Sequence, residues 1–175
     1  MNTEERIEIC RKLFSDYGID SSLIDKLNTE YNYFTCPAST KFHGAYAGGL
    51  FDHCYRVALE LVRYTDRLSL VWQNRRSPVL IGMLHDMCKC IQYHFDAAEN
   101  KYYYASTKKG HGSVSVEIVK ELIPDLTEEE ELCIRYHMGA YTREDWDGFD
   151  KSIRKYDTVL YTHTADMSAS KVFDV

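Results

Sequence analysis

No stretch of this sequence approaches the roughly 20 consecutive apolar residues that a helix needs to span a bilayer. No secretion signal is expected either, because Glu4, Glu5, Arg6, Glu8 and Arg11 interrupt the first residues where an apolar run would have to lie. Positive charge is in short supply: 27 acidic side chains outnumber 21 lysines and arginines and leave a net charge of −6. The chain as a whole therefore has no attraction for nucleic acid or for an anionic membrane, and a phosphate-bearing substrate must be held by local cations or by metal. Internal repeats, low-complexity tracts and a linker between domains are also lacking. Together these absences lead us to expect a cytoplasmic protein with no membrane partner and no long nucleic acid bound to it.

What is present describes a globular chain. Its 175 residues, 45% hydrophobic and 27% charged, suffice for one domain with a full core. Cys10, Cys36, Cys54, Cys88, Cys90 and Cys133 are even in number, but without an export signal they are expected to be reduced and packed inside. Cys88 and Cys90 do not suggest a metal clip, since residues two apart on a helix point to opposite sides.

The chain is organised around Gly82-Met83-Leu84-His85-Asp86-Met87-Cys88-Lys89. Val79, Leu80, Met83, Leu84, Met87 and Ile91 recur at three- and four-residue steps and predict the buried stripe of a helix opened by Pro78. Adjacent ionisable residues in such a segment need partners, because a carboxylate is rarely buried unless it is paired or holds a metal. Near a helix end, His85 and Asp86 can both lean into one pocket. Taken alone, the pair reads more simply as a satisfied core histidine beside a solvated aspartate.

The rest of the chain supplies company for that pair. Residues 4–16 carry Ile7, Cys10, Leu13 and Phe14 on one face, predicting a helix capped by Thr3 and ending near Gly18. A shorter helix follows to about Asn32. A loop punctuated by Pro37, Gly44, Gly48 and Gly49 then delivers Lys41 and His43 to the next helix. That helix carries Leu50, Cys54, Val57 and Leu61, with His53 at the edge of its buried face and Arg56 and Arg63 on a flank expected to be solvated.

Tyr93–Asp96 and Tyr102–Tyr104, alternating around a short turn, predict a β-hairpin. Lys109, Gly110 and His111 open another helix, where glycines let backbone come close to a ligand. Thr127 with Glu130 forms a capping-box signature for a helix that ends at His137-Met138-Gly139. Tyr141–Asp150 reads as a loop or short turn, and a final helix over about 155–171 places His163 and Asp166 on one face.

His53, His85, Asp86, His111, His137 and Asp166 thus stand on or at the ends of five predicted helices. Such a mixture of imidazole and carboxylate suits a two-metal site, with His53, His85 and Asp166 on one metal, His111 and His137 on the other, and Asp86 bridging. Spacing alone does not bring them together.

Leu84-His85-Asp86 with Lys89 behind it resembles the signature of the HD-domain superfamily of metal-dependent phosphohydrolases. The blocks from His43 to His53, Gly110-His111, Tyr136-His137-Met138-Gly139 and His163-Thr164-Ala165-Asp166 are similar to those of the HD domain in a bacterial 3′–5′ exoribonuclease family. His111 and His137 resemble the additional histidines of the two-metal members, the HD-GYP phosphodiesterases among them. Cys88 departs from the glycine common before the motif's lysine, and residues 1–40 are not expected to form the nucleic-acid-binding domain that the exoribonucleases carry ahead of the match.

The resemblance implies an all-α helical bundle with one small hairpin: a single domain over 1–175, with 1–40 a helical extension and 41–171 the HD core. It further implies His53, His85, Asp86 and Asp166 as core metal ligands and a pair of divalent transition metals, drawn from manganese, iron, zinc and nickel. The expected reaction is phosphoester hydrolysis by a metal-activated hydroxide, as phosphomonoesterase or phosphodiesterase, on a nucleotide or short oligonucleotide. Asp86 and Lys89 are the expected catalytic residues, with Lys89, His43 and Lys109 holding the phosphate. Two other readings use the same ligands: a mixed-valent di-iron oxygenase that cleaves carbon–phosphorus or carbon–carbon bonds, and a non-catalytic binding domain stabilised by its metal.

Overall fold

The computed structural model describes residues 1–108, 110–139 and 145–175. Among them, α1 (Thr3–Tyr17), α2 (Leu23–Thr29), α3 (Gly49–Leu68), α4 (Ser77–Leu84) and α5 (Lys89–Gln92) precede a hairpin of β1 (Tyr93–Asp96) and β2 (Lys101–Tyr104). Next come α6 (His111–Leu122), α7 (Glu128–Arg135), α8 (Trp146–Lys155) and α9 (Thr158–Lys171). The fold is all-α apart from the antiparallel hairpin, whose register pairs Tyr93 with Tyr104 and Asp96 with Lys101. No helix among the described residues is long and apolar enough to cross a membrane.

The bundle is built on α4, all eight of whose residues are buried. A helix that is apolar all round must be enclosed. It packs on α3, which packs in turn on α9. The approach of α3 to α4 is so close that a Cβ on Gly82 would lie 2.4 Å from Ala58 Cα, which is why only glycine fits there. Cys10 and Phe14 of α1 and Leu27 of α2 join the same hydrophobic core. Arg6, buried on α1, clamps Asp52 at the start of α3 with two 2.9 Å hydrogen bonds.

The acidic start of α7 anchors that helix to its neighbours. Thr127 and Glu130 form the capping box, and the buried Glu130 carboxylate also accepts from Ser77 Oγ of α4 at 2.9 Å. Glu129 accepts from Thr158 Oγ1 of α9 at 2.7 Å. The start of α7 is thereby fixed against both helices, and His137 follows its other end.

Several expectations change. Asn2, not Thr3, caps α1, accepting from Glu5 N while the Glu5 side chain reaches back. The second helix is confined to Leu23–Thr29, and the last begins at Thr158. The central helix does not run through to Ile91: it stops at Leu84, residues 85–88 form a turn, and Ile91 faces outward. Arg56 and Arg63 are not simply solvated, for both pair with the buried Glu60, Arg56 at 2.8 Å. Of the expected loop over 141–150, residues 141–144 lie outside the described residues, whereas Trp146 opens a helix capped by Asp145. Trp146, Phe149 and Ile153 recur at three- and four-residue steps, so the sequence did carry a helical pattern there beneath its polar, acidic composition.

Candidate metal centre

Four separate parts of the chain meet beneath one pocket. His53 comes from the second turn of α3, His85 and Asp86 from the turn that ends α4, His137 from just beyond α7, and Asp166 from α9. The three histidine side chains are fully buried and the two aspartates nearly so. His53 Nε2 lies 3.2 Å from Asp166 Oδ1 and 3.5 Å from Asp86 Oδ2, while His85 Nε2 and His137 Nε2 lie 3.4 Å from the two oxygens of Asp86. Two groups of potential ligands result, His53–His85–Asp86 and His85–His137–Asp166, each with its atoms within 4.8 Å of one another.

The hydrogen bonding of these rings shows what the cluster lacks. Nδ1 of His53, His85 and His137 sits 2.9, 2.9 and 2.7 Å from the main-chain oxygens of Val175, Gly82 and Ile134. Such an oxygen only accepts, so each Nδ1 carries the proton, and a neutral ring then turns an unprotonated Nε2 lone pair inward. None of the three Nε2 atoms has a hydrogen-bond partner among the described residues. Lone pairs of nitrogen thus face carboxylate oxygens with no donor between them. A cation satisfies this arrangement, and carbonyl-oriented imidazoles are how proteins present histidine to a metal.

The charge balance agrees. Burial pushes the Asp86 carboxyl up, but Lys89 and His85 overcome it and hold Asp86 well below the usual carboxylate range. Burial likewise raises Asp166, and His53 more than reverses it. Burial lowers His85, whereas at His137 the neighbouring Asp86 outweighs burial and raises it, a pull on positive charge that a cation at Nε2 would answer. Two buried carboxylates demand positive charge, and metal binding replaces protons at such sites. The residues present therefore fit a divalent cation.

Lys89 is buried as well, 8% exposed, with Nζ 2.5 Å from Asp86 Oδ2. Burial opposes its charge, and Asp86 restores it to a raised pKa. Lys89 is therefore not a solvated surface cation but part of the buried cluster. The His43 ring packs against His53 at a tilt of 41°, with centroids 5.2 Å apart; burial and His53 lower its pKa to about 4, so it is neutral near pH 7. His111 opens α6, where Gly112 packs directly on the backbone of Arg135 and brings the two helix ends together. Its Nδ1 lies 3.3 Å from Cys88 Sγ, and burial lowers its pKa. Among the described residues, it belongs to neither close group, standing instead on the pocket wall. Lys109 lies outside the described residues.

Above the cluster is a cavity of about 400 Å³ whose lining includes Asp86, Asp166, Lys89, His43 and His111. Ser39, Phe42, Tyr93, Met138, Met167, Ser170 and Lys171 complete much of the wall, and sequence reasoning did not single them out. For some a signal existed: Met167, Ser170 and Lys171 recur at three- and four-residue steps on the helix of Asp166, and Met138 follows His137. His163, on the same face as Asp166, turns its Nδ1 to the His137 carbonyl at 2.8 Å and steadies the turn at Gly139.

The family model for the HD domain matches residues 50–168. No curated protein and no solved structure matches the chain significantly.

Proposed function

This chain belongs to the HD-domain family, and on that premise we propose that it is a metal-dependent phosphohydrolase whose substrate is a nucleotide or a short oligonucleotide. The observation that carries the reading is the trio of buried, partnerless Nε2 atoms facing Asp86 and Asp166 under an open pocket. His53, His85, Asp86 and Asp166 would hold one metal, and His111 and His137, with Asp86 shared, a second. Bound there, divalent metal supplies a water of lowered pKa and neutralises charge on phosphoryl oxygens.

The remaining roles belong to the chain itself. Asp86 collects the cationic side of the site, and Lys89 keeps it ionised. An ammonium has three donors, so Lys89 can hold Asp86 and a phosphoryl oxygen together on the pocket wall. His43, neutral at physiological pH, offers a hydrogen bond rather than a charge to the substrate. Lys171 places a further cation on the wall, which matters in a protein of net charge −6. The cavity of about 400 Å³ favours a mononucleotide or the end of a short strand over an extended duplex.

Elemental analysis combined with phosphate and nucleoside release from mononucleotides and model phosphodiesters, with added manganese, tests this reading. We expect about two metals per chain and manganese-dependent release that Asp86→Ala abolishes while the helical circular dichroism remains. Full activity in Asp86→Ala overturns the site. Release that continues without oxygen excludes the di-iron oxygenase as its source. Metal-dependent stability with no turnover of any phosphoester replaces the hydrolase by a metal-stabilised binding domain.

A further inference from the structure

The three buried imidazoles obtain their orienting carbonyls in different ways. His85 and His137 follow the ends of α4 and α7, and each uses the carbonyl three residues earlier, Gly82 or Ile134. Those carbonyls lie in the last turn of a helix, where C=O groups have no intrahelical partner. Any histidine just beyond a helix end has this option locally. His53 does not, because it sits within the 20-residue α3, whose interior carbonyls are engaged by the following turn.

Its acceptor is instead the main-chain oxygen of Val175, 122 residues away, at 2.9 Å. The segment 172–175 is fastened for that purpose at several points. Phe173 N and Val175 N donate to Ser168 O and Ala169 O of α9 at 3.1 and 3.2 Å. The Phe173 ring lies under the Arg56 guanidinium, 3.3 Å from its centroid, and Arg56 is itself paired with Glu60 at 2.8 Å. Asp174 adopts a left-handed backbone conformation, φ +57°, which turns the chain so that the Val175 main-chain oxygen meets His53.

We propose that segment 172–175 is a positioning strap for the metal centre, fixing the Nδ1–H tautomer and ring orientation of His53 so that Nε2 is presented to the cation. The strap rests on the reading of His53 as a ligand, and it extends the role of α9: this helix supplies Asp166 directly and, through the residues that follow it, sets the ligand on α3. It also gives Arg56 and Glu60 a purpose, since they hold Phe173 in place.

The test compares Asp174→Pro with Asp174→Gly. Proline fixes φ near −65° and cannot make the left-handed turn, whereas glycine accepts it freely. In metal-free protein, nitrogen-15 NMR of the imidazoles, assigned against His53→Gln, reports the tautomer; calorimetric titration with manganese reports affinity. Wild type and Asp174→Gly should show His53 protonated on Nδ1 and equal affinity. Asp174→Pro should lose the single tautomer and bind manganese about 10- to 100-fold more weakly, the usual cost of losing such an outer partner. Equal affinity in the proline and glycine variants overturns the strap. If Asp174→Pro loses its helical signal, the wild-type spectrum decides, and a His53 proton on Nε2 overturns it. Absence of manganese binding by wild type would instead count against the metal reading, leaving the tautomer result to stand separately.

Discussion

Lys89 and Asp86 form the most tightly constrained ion pair of the site, at 2.5 Å and nearly out of solvent. Replacing one partner of a buried pair leaves the other uncompensated. Lys89→Met keeps the apolar stem and removes the charge, so we expect metal still to bind, because the carboxylate remains. Turnover should drop about 10- to 100-fold, the equivalent of roughly 1.5–3 kcal/mol for a hydrogen bond to a charged group. Steady-state kinetics at saturating manganese check this, and unchanged kcat and KM would show that the ammonium touches no substrate. His85 and Asp86 were legible in the sequence because ionisable residues interrupt an apolar stripe. Lys89 was legible as a neighbour but not as buried, since the break at residues 85–88 that turns it inward leaves no mark on the spacing. The carbonyl on His53 was beyond reach, for nothing local links residue 53 to residue 175.

At the level of elements, α3 and α4 must touch for His53 and His85 to share a cation. Gly82 makes the contact possible, and the same residue lends its carbonyl to His85. Gly82→Ala sets two effects against each other. Helix propensity favours alanine by about 1 kcal/mol, while the new methyl group would meet Ala58 backbone at 2.4 Å. Overpacking costs about 1–3 kcal/mol, and this clash is with backbone, which does not swing aside. We therefore expect a net loss of stability in urea unfolding together with weaker manganese binding as the two histidines separate; a gain near 1 kcal/mol would show that the helices part without cost. The hairpin and the capping box of α7 were readable because their signals are local. The break of the central helix was not, since the apolar spacing continues past it to Met87 and Ile91 while the backbone turns.

For the molecule as a whole, the candidate ligands at positions 53, 85, 86, 137 and 166 come from α3, α9 and the turns that follow α4 and α7, so bound metal would tie these elements into a single unit. The sequence supplied these residues and their resemblance to a family, but their convergence depends on long-range packing, which periodicity does not encode. Without the cation, the folded state retains two buried carboxylates and three inward lone pairs, an arrangement that the unfolded chain relieves by exposing them to water. Metal binds the folded state and should stabilise it by RT ln(1 + [L]/Kd), about 2.7 kcal/mol at a hundredfold excess over Kd. For a chain of this size that amounts to a rise of about 5–10 °C in Tm. Chelated protein titrated with manganese in a thermal scan should show this rise, continuing with the logarithm of free metal, and Asp86→Ala should flatten it. A chelated wild type whose Tm does not respond would mean that the buried cluster satisfies itself, and the metal centre would have to be abandoned.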